Sequence, residues 1–182
     1  MKARPIWDNR HVSDARERAL EAREELRRAR DTAALVTAEL PGGELVKFLN
    51  ARLDELEAKA KVATPGPWEA VVDDHGRGEI DASVWADSIR YYVTEKISSG
   101  GRHVADAEHI ALHDPVRVLA EVEAKRGTIR LYEDTLSTIE TFKGHGVEAR
   151  AHEVAAESYL NVIRLDAAVY SSHPEYNESW RP

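Results

Sequence analysis

Four residues of the types that bind metal ions lie within one short segment of the sequence: His103, Asp106, His109 and His113. On a helix, Asp106, His109 and His113 would lie within about 60° of one face, at ~100° per residue. Imidazole and carboxylate groups suit zinc, manganese or iron, and a metal-bound water of lowered pKa would support hydrolysis. These four residues are therefore the candidate ligands of a divalent metal ion, and one alternative function is a metal-dependent hydrolase or nuclease. Alternatively, this polar face is simply exposed to solvent and holds no ion.

A second group of residues could bind a small anionic ligand such as a nucleotide. The predicted ligand-binding residues are Arg77, Arg90, Tyr91 and Arg102. Arginine side chains pair with phosphate or carboxylate groups, and an aromatic ring offers a surface on which a base can stack. The alternative interpretation is that the aromatic side chains of this region fill the core face of a sheet.

Motifs of several enzyme classes are absent from the sequence. It contains no G-x-S-x-G turn, no G-x-x-x-x-G-K-[ST] loop and no G-x-G-x-x-G loop. It also contains no cysteine, which excludes disulfides, thiolate metal sites and cysteine nucleophiles. We therefore predict no catalytic residue, and we expect a protein that is not an enzyme. Apart from the divalent metal considered above, we expect no cofactor.

The first 43 residues are predicted to form a helical arm. Apolar residues recur there at alternating steps of four and three, which is the heptad spacing of a coiled coil. The residues of this seam, which are the predicted partner-binding residues, are Ala15, Ala19, Ala22, Leu26, Ala29, Ala33, Val36 and Leu40. Because most of them are small, the arm buries little area and needs a partner helix. It either folds back on the next helix as an antiparallel hairpin or pairs with the arm of another subunit.

The remaining residues, 44–182, are predicted to form one domain of the α+β class that is predominantly α. We expect a helix over 44–62, a small three-stranded antiparallel sheet over 68–95, helices over 104–113, 115–143 and 148–170, and an aromatic tail over 171–182. The last two long helices are expected to form a helical hairpin. In the tail, Tyr176 and Trp180 predict packing against the body of the domain.

Composition and charge narrow the choice of partners. The chain has 182 residues and a formal net charge of −8, and 42% of its residues are hydrophobic. The arginines of the arm alternate with glutamates at helical spacing, which is typical of a solvated face, so nucleic-acid binding is not expected. No apolar run approaches the ~20 residues that a membrane helix needs, and no signal peptide is visible. We therefore expect a cytoplasmic location without membrane association.

Three blocks of sequence carry a resemblance to known proteins. They are LVKFLNARLDELEAKAKVATPGPW at 45–68, DAEHIALHDPVRVLAEVEAKR at 106–126 and SSHPEYNESWRP at 171–182. In this order they resemble a family of short uncharacterised proteins of high-GC Gram-positive bacteria and their phages. The first two blocks are also similar to the Ea22-like phage proteins. The resemblance implies a phage or mobile-element origin and an early accessory role, and it implies that the arm is additional to the family pattern.

These observations together predict an interaction protein. We expect a non-enzymatic phage or mobile-element accessory protein whose coiled-coil arm binds a protein partner or a second copy of the chain, giving a homo-oligomer. Host takeover, anti-defence activity and control of another phage protein are roles of this kind. The alternatives are sequestration of a small anionic ligand such as a nucleotide and metal-dependent hydrolysis.

Overall fold

A computed structural model describes Glu24 and residues 41–76, 80–97, 101–142 and 146–182. The predicted seam of the arm and Arg77 lie outside the described residues. The chain divides into two compact units, Met1–Lys47 and Phe48–Pro182. No helix within the described residues is long and apolar enough to cross a membrane.

The described elements confirm an α+β fold that is mostly α. In chain order they are helix α1 (Gly43–Val62), strands β1 (Trp68–Asp74), β2 (Ile80–Ala86) and β3 (Tyr91–Thr94), helices α2 (His103–Leu112), α3 (Pro115–Thr141) and α4 (Gly146–Ala168), and a 3-10 turn at Glu178–Trp180. The predicted elements begin and end within a few residues of these bounds. The ends of these helices and strands could be predicted because prolines and glycines occur in the segments that connect them.

The sheet and α2 form a small layered core. The strands lie in the order β1-β2-β3 and both pairs are antiparallel. Alternate residues of β2, Ala82 and Val84, face α2 and pack with Ala107, so the contact consists mainly of small side chains that let the helix approach closely. The alternative that aromatic residues fill this core face applies only in part. Trp68 of β1 packs against this core, whereas Trp85 lies on the opposite face from Val84, and Tyr91 is 65% exposed.

Helices α3 and α4 pack along each other and supply a second part of the core. Their buried side chains are Val122, Ile129 and Tyr132 on α3 and Ala156, Leu160, Ile163 and Ala167 on α4. These residues recur at helical spacing along one face of each helix.

The segment ATPGPW of the first resemblance block is held against the start of α3. Pro115 begins this helix, and Asp114 is its N-cap, with Oδ1 accepting from the main-chain nitrogen of Arg117 at 2.7 Å. Oδ2 of the same carboxylate accepts from the main-chain nitrogen of Trp68 at 3.2 Å. A Cβ at Gly66 would lie 2.7 Å from Oδ2, so only glycine fits beside it. The first two blocks of the family resemblance, 45–68 and 106–126, therefore contact each other at the buried carboxylate of Asp114.

The C-terminal tail is fixed to α1, as predicted. Its rings surround Phe48 in a group that we name the Phe48 cluster: Phe48, Tyr170, His173, Tyr176 and Trp180. The centroid of the Trp180 ring is 5.1 Å from that of Phe48, and Phe48 is only 6% exposed. Because each ring covers a large apolar area, a tail with little regular structure can still be held firmly.

A charged group joins α1 to α3. Arg126 lies 2.6 Å from Asp54 Oδ1 and 2.7 Å from Glu57 Oε2, and Lys61 also pairs with Glu57. The hydrogen bond from Lys61, followed by that from Arg126, lowers the pKa of Glu57 from 4.5 to about 2.

This depressed pKa predicts that stability falls in acid. A carboxylate whose pKa is lower in the folded than in the unfolded state stabilises the fold above its unfolded pKa, and this contribution is lost as the pH falls through the folded pKa. For Glu57 the loss falls between about pH 4.5 and about pH 2. We expect Glu57→Gln to flatten the fall of Tm in this window, measured by circular dichroism. Glu121→Gln, at an exposed pair with Arg117, is the control. Equal flattening by both variants would contradict the assignment.

Candidate functional site

The predicted metal ligands do not converge in the structure. His109 and His113 are both exposed, with ring centroids 4.4 Å apart, and His113 Nδ1 lies 2.8 Å from the main-chain oxygen of His109. His103 instead has its Nε2 atom buried, with no hydrogen-bond partner among the described residues. Among the residues that the structure describes, no three side chains of His, Cys, Asp or Glu are grouped to hold a metal ion. Helical spacing grouped Asp106 with His109 and His113, but α2 ends at Leu112, so His113 lies just beyond the helix. The Nε2 atom of His103 is buried, whereas His109 and His113 are exposed.

The predicted anion-binding residues lie at two places on the domain. Arg90 and Tyr91 are exposed at the turn between β2 and β3, where Arg90 adopts a positive φ of 52°. Arg102 is exposed at the start of α2 and makes no side-chain capping bond. Within the described ranges, no hydrogen bond or ring contact joins Arg102 to Arg90 or Tyr91. Nearby aromatic residues contact each other, since Trp85 and Tyr92 pack edge to face at 4.8 Å.

A shallow cleft between α3 and α4 was not predicted from the sequence. Its volume is about 340 Å³, and its lining residues are Glu121, Ala124, Lys125, Thr128 and Asp166. Lys125 forms an ion pair with Asp166 across the cleft. The pair ties the two helices together, because each charge satisfies the other where both are partly shielded from water. Only the structure could reveal this pair, since its members are 41 residues apart.

Arg52 is the most deeply placed charged side chain near the tail. The residue is 7% exposed, its Cζ lies 5.3 Å from the centroid of Phe48, and its Nη1 lies 2.8 Å from Nδ1 of His173. Carboxylate oxygens of Glu55 and Glu175 lie 2.8 and 3.5 Å away. The guanidinium therefore holds the tail through His173 and Glu175, while its stacking on Phe48 of the same helix fixes its own position. The arrangement is a structural clamp rather than an open binding site.

Helix α4 is apolar on two opposite faces. One face packs on α3, and the other is exposed along the whole length of the helix. We name this second face, with the first residue after the helix, the outer seam of α4. It consists of Val147, Ala151, Val154, Ser158, Val162 and Leu165 within the helix and Val169 directly after it. The larger members are between 44% and 83% exposed. At ~100° per residue, the six helical members lie within about 80° of one another. A helix that is apolar on both sides is typical of a helix buried in a larger assembly.

The outer seam was overlooked in the sequence because its residues were grouped with the buried ones. In the sequence, Val154, Val162, Leu165 and Val169 lie in the same segment as Leu160 and Ile163, and no pattern assigned the two sets to different faces. The structure separates them, since Leu160 and Ile163 are buried and the others are exposed. The signal that was present is the density of apolar residues, which is too high for a helix with only one buried face.

Charged side chains on both sides of the outer seam have partners within the chain. Arg164 lies 3.7 Å from Glu157, and Arg150 lies 3.0 Å from Glu153. On the other side, Asp166 pairs with Lys125. These pairs reduce the charge presented at the edges of the seam, so its surface is mainly apolar in character. Its seven side chains offer no group typical of catalysis apart from one hydroxyl.

Comparison with known proteins places most of the chain in one family. Neither a curated protein nor a solved structure matches it. A family model does match residues 42–182, and this range contains every element from α1 to the C-terminal tail, including the Phe48 cluster, Asp114 and the outer seam of α4. The predicted arm lies almost entirely outside the match. Over these residues the chain belongs to DUF6221, a family of unknown function.

Proposed function

We propose that this protein acts without catalysis, by binding another protein chain through apolar helical surfaces. The observation that carries the proposal is the outer seam of α4, where four valines and a leucine are exposed along one face of a helix whose other face is already packed. Contiguous exposed apolar surface of this kind is uncommon on a soluble domain and marks interaction sites. Covering it removes apolar area from water, which stabilises a complex.

A second apolar surface is proposed from the sequence of the arm. Its heptad seam, from Ala15 to Leu40, would pair with another helix in a coiled coil. The resemblance to proteins of high-GC Gram-positive bacteria and their phages supports an accessory role in a phage or mobile element. In that setting the bound chain would belong to host takeover, to a defence system or to another phage protein. The family model matches residues 42–182, a range that includes the outer seam and only the last two residues of the predicted arm.

Site-specific photo-crosslinking tests the proposal in cells that produce the full chain. A photoreactive phenylalanine analogue at Leu165 lies within the outer seam, and the same analogue at Leu131 lies on α3 outside it. The two leucines are matched in type and exposure, at 59% and 50%. We expect discrete protein adducts from position 165 and none of comparable yield from position 131. The mass of each adduct shows whether the bound chain is a second copy or a different protein.

The opposite result is equally clear. Equal adduct yields from both positions, or no adduct from position 165, would mean that the outer seam is not an interaction surface. The native length of the chain is kept in both variants, so the arm is present in each experiment. Circular dichroism of the purified variants checks that each retains the helix content of the wild type.

A further inference from the structure

We propose that the outer seam of α4 binds a second copy of the same chain, as an antiparallel helix pair on a two-fold axis at Ser158. This inference rests on the proposed function, because it names the occupant of the same surface. In such a pair the two helices run in opposite directions and present the same face to each other. A two-fold interface of this kind requires a surface that is complementary to itself.

The spacing of the outer seam has the symmetry that such a pair requires. From Val147 to Val169 its members follow at steps of 4, 3, 4, 4, 3 and 4 residues, and this order reads the same in both directions with Ser158 at its centre. An antiparallel partner centred on Ser158 therefore places Val147 opposite Val169, Ala151 opposite Leu165, and Val154 opposite Val162. A different partner protein would not need this reversal symmetry.

Side-chain sizes also match across the proposed pair. Ala151, the smallest member, meets Leu165, the largest, so that a large side chain fills the space beside a small one. The other two pairs, Val147 with Val169 and Val154 with Val162, each place a valine opposite a valine. At the centre, the small side chain of Ser158 lets the two helix backbones approach closely, as small residues do in tightly packed helix pairs.

The one polar member of the seam can be buried without an unpaired group. The hydroxyl of Ser158 donates to the main-chain oxygen of Val154 at 2.8 Å. A buried polar group destabilises a complex mainly when its hydrogen bond is lost, and this one is formed within the same helix. The charges beside the seam are likewise paired inside the chain, as Arg164 with Glu157 and Asp166 with Lys125. The second copy therefore needs no complementary charges.

The size of the surface predicts a weak and reversible dimer. The seam is about 33 Å long at ~1.5 Å per residue, so a single helix pair buries roughly 700 Å² in total, below the ~1,200 Å² of a stable interface. We expect dimers to form at roughly 10 to 100 μM, in the range of transient contacts. Light scattering across this concentration range should show a mass that rises from one chain toward two.

The first experiment compares two leucines in the full-length chain. Leu165→Glu introduces a charge into the proposed interface, and we expect it to raise the dimer dissociation constant by roughly tenfold or more, because a buried unpaired carboxylate is costly. Leu131→Glu adds the same charge at an exposed leucine of α3, and we expect a change of less than about twofold. Both positions are exposed in the single chain, so both variants should fold.

Cysteine crosslinking tests the direction and the register of the helices. Because the chain contains no cysteine, one introduced thiol can react only with its copy. Ser158→Cys should form a disulfide-linked dimer under mild oxidation, since the two-fold axis brings this position close to itself. Val147→Cys alone should not form one, because it faces Val169. A mixture of Val147→Cys and Val169→Cys chains should form the mixed dimer. A parallel pair would instead link Val147→Cys to itself.

Each outcome decides the proposal. A mass of one chain throughout the concentration range, a dimer that Leu165→Glu does not weaken, or efficient self-linking by Val147→Cys would overturn it. The broader proposed function fails separately, through the photo-crosslinking comparison of positions 165 and 131. If position 165 links only to a different protein while the chain stays monomeric, the outer seam is an interaction surface but its occupant is not a second copy.

Discussion

Replacing Phe48 with alanine is expected to reduce the free energy of unfolding by about 3–5 kcal/mol, the usual range for deleting a buried aromatic ring. Phe48 is 6% exposed, and four rings contact it, with centroids between 5.1 and 6.3 Å from its own. The substitution removes the ring that all four other members of the Phe48 cluster contact. It also removes the ring on which the guanidinium of Arg52 lies. The tail should then detach together with the loss of stability.

The second phenylalanine of the chain provides a matched control. Phe142 is 36% exposed and stacks on the ring of His152 at 5.8 Å. We expect Phe142→Ala to reduce the free energy of unfolding by about 1 kcal/mol, because part of its ring is already in water. Urea unfolding followed by circular dichroism measures both values. Limited proteolysis should cleave within 171–182 faster in Phe48→Ala than in the wild type. Equal losses of stability in the two variants would show that the Phe48 cluster does not anchor the tail.

Local patterns were sufficient to predict most of the helices and strands. Asp114 and Pro115 are a capping residue and a first helical residue, and the start of α3 follows from them directly. The attachment of the tail also followed from Tyr176 and Trp180, because large rings in a segment of turn formers need something to pack against. What they pack against could not be predicted. Phe48 lies more than 120 residues earlier, and no periodicity connects two segments so far apart.

The candidate site was the least predictable part, for two different reasons. Spacing on a helix fixes the angle between side chains but not which side faces the core, so His103 was grouped with His109 although its Nε2 atom is buried. In α4 the sequence contains two apolar lanes on opposite faces, and only the packing of α3 shows which one is covered. An interaction surface of this kind can therefore be recognised only after the buried residues are known, as the apolar residues that remain exposed.

Replacing Asp114 with alanine should also reduce the stability of the domain, through the start of α3. The residue is 8% exposed, and its two carboxylate oxygens accept from different main-chain nitrogens, those of Arg117 and Trp68. Losing an N-cap costs about 0.5–2 kcal/mol, and leaving the partly buried nitrogen of Trp68 without an acceptor adds to this, up to the ~1–3 kcal/mol of a fully buried group. We expect Asp114→Ala to reduce the free energy of unfolding by roughly 2–4 kcal/mol in a urea titration.

Asparagine at the same position separates the two contributions. Its amide has one oxygen, which can keep the N-cap bond to the Arg117 nitrogen, but the amino group then faces the Trp68 nitrogen, and two donors repel. Asp114→Asn should therefore lose less stability than Asp114→Ala, and the amide of Trp68 should exchange faster in hydrogen-exchange measurements for both variants. Asp74→Ala is the control, because Asp74 also accepts a main-chain bond, from Gly76 at 2.8 Å, but at an exposed turn.

The comparison with Asp74 decides what the carboxylate of Asp114 does. An exposed nitrogen that loses its acceptor finds water, so Asp74→Ala should cost less than about 1 kcal/mol. If Asp114→Ala costs no more than this, then water replaces the carboxylate there too, and the ATPGPW segment is held by other contacts. If the larger loss is found, Asp114 is the group that joins α3 to β1. This contact between α3 and β1 also explains the glycine at position 66, since a Cβ there would lie 2.7 Å from Oδ2 of Asp114.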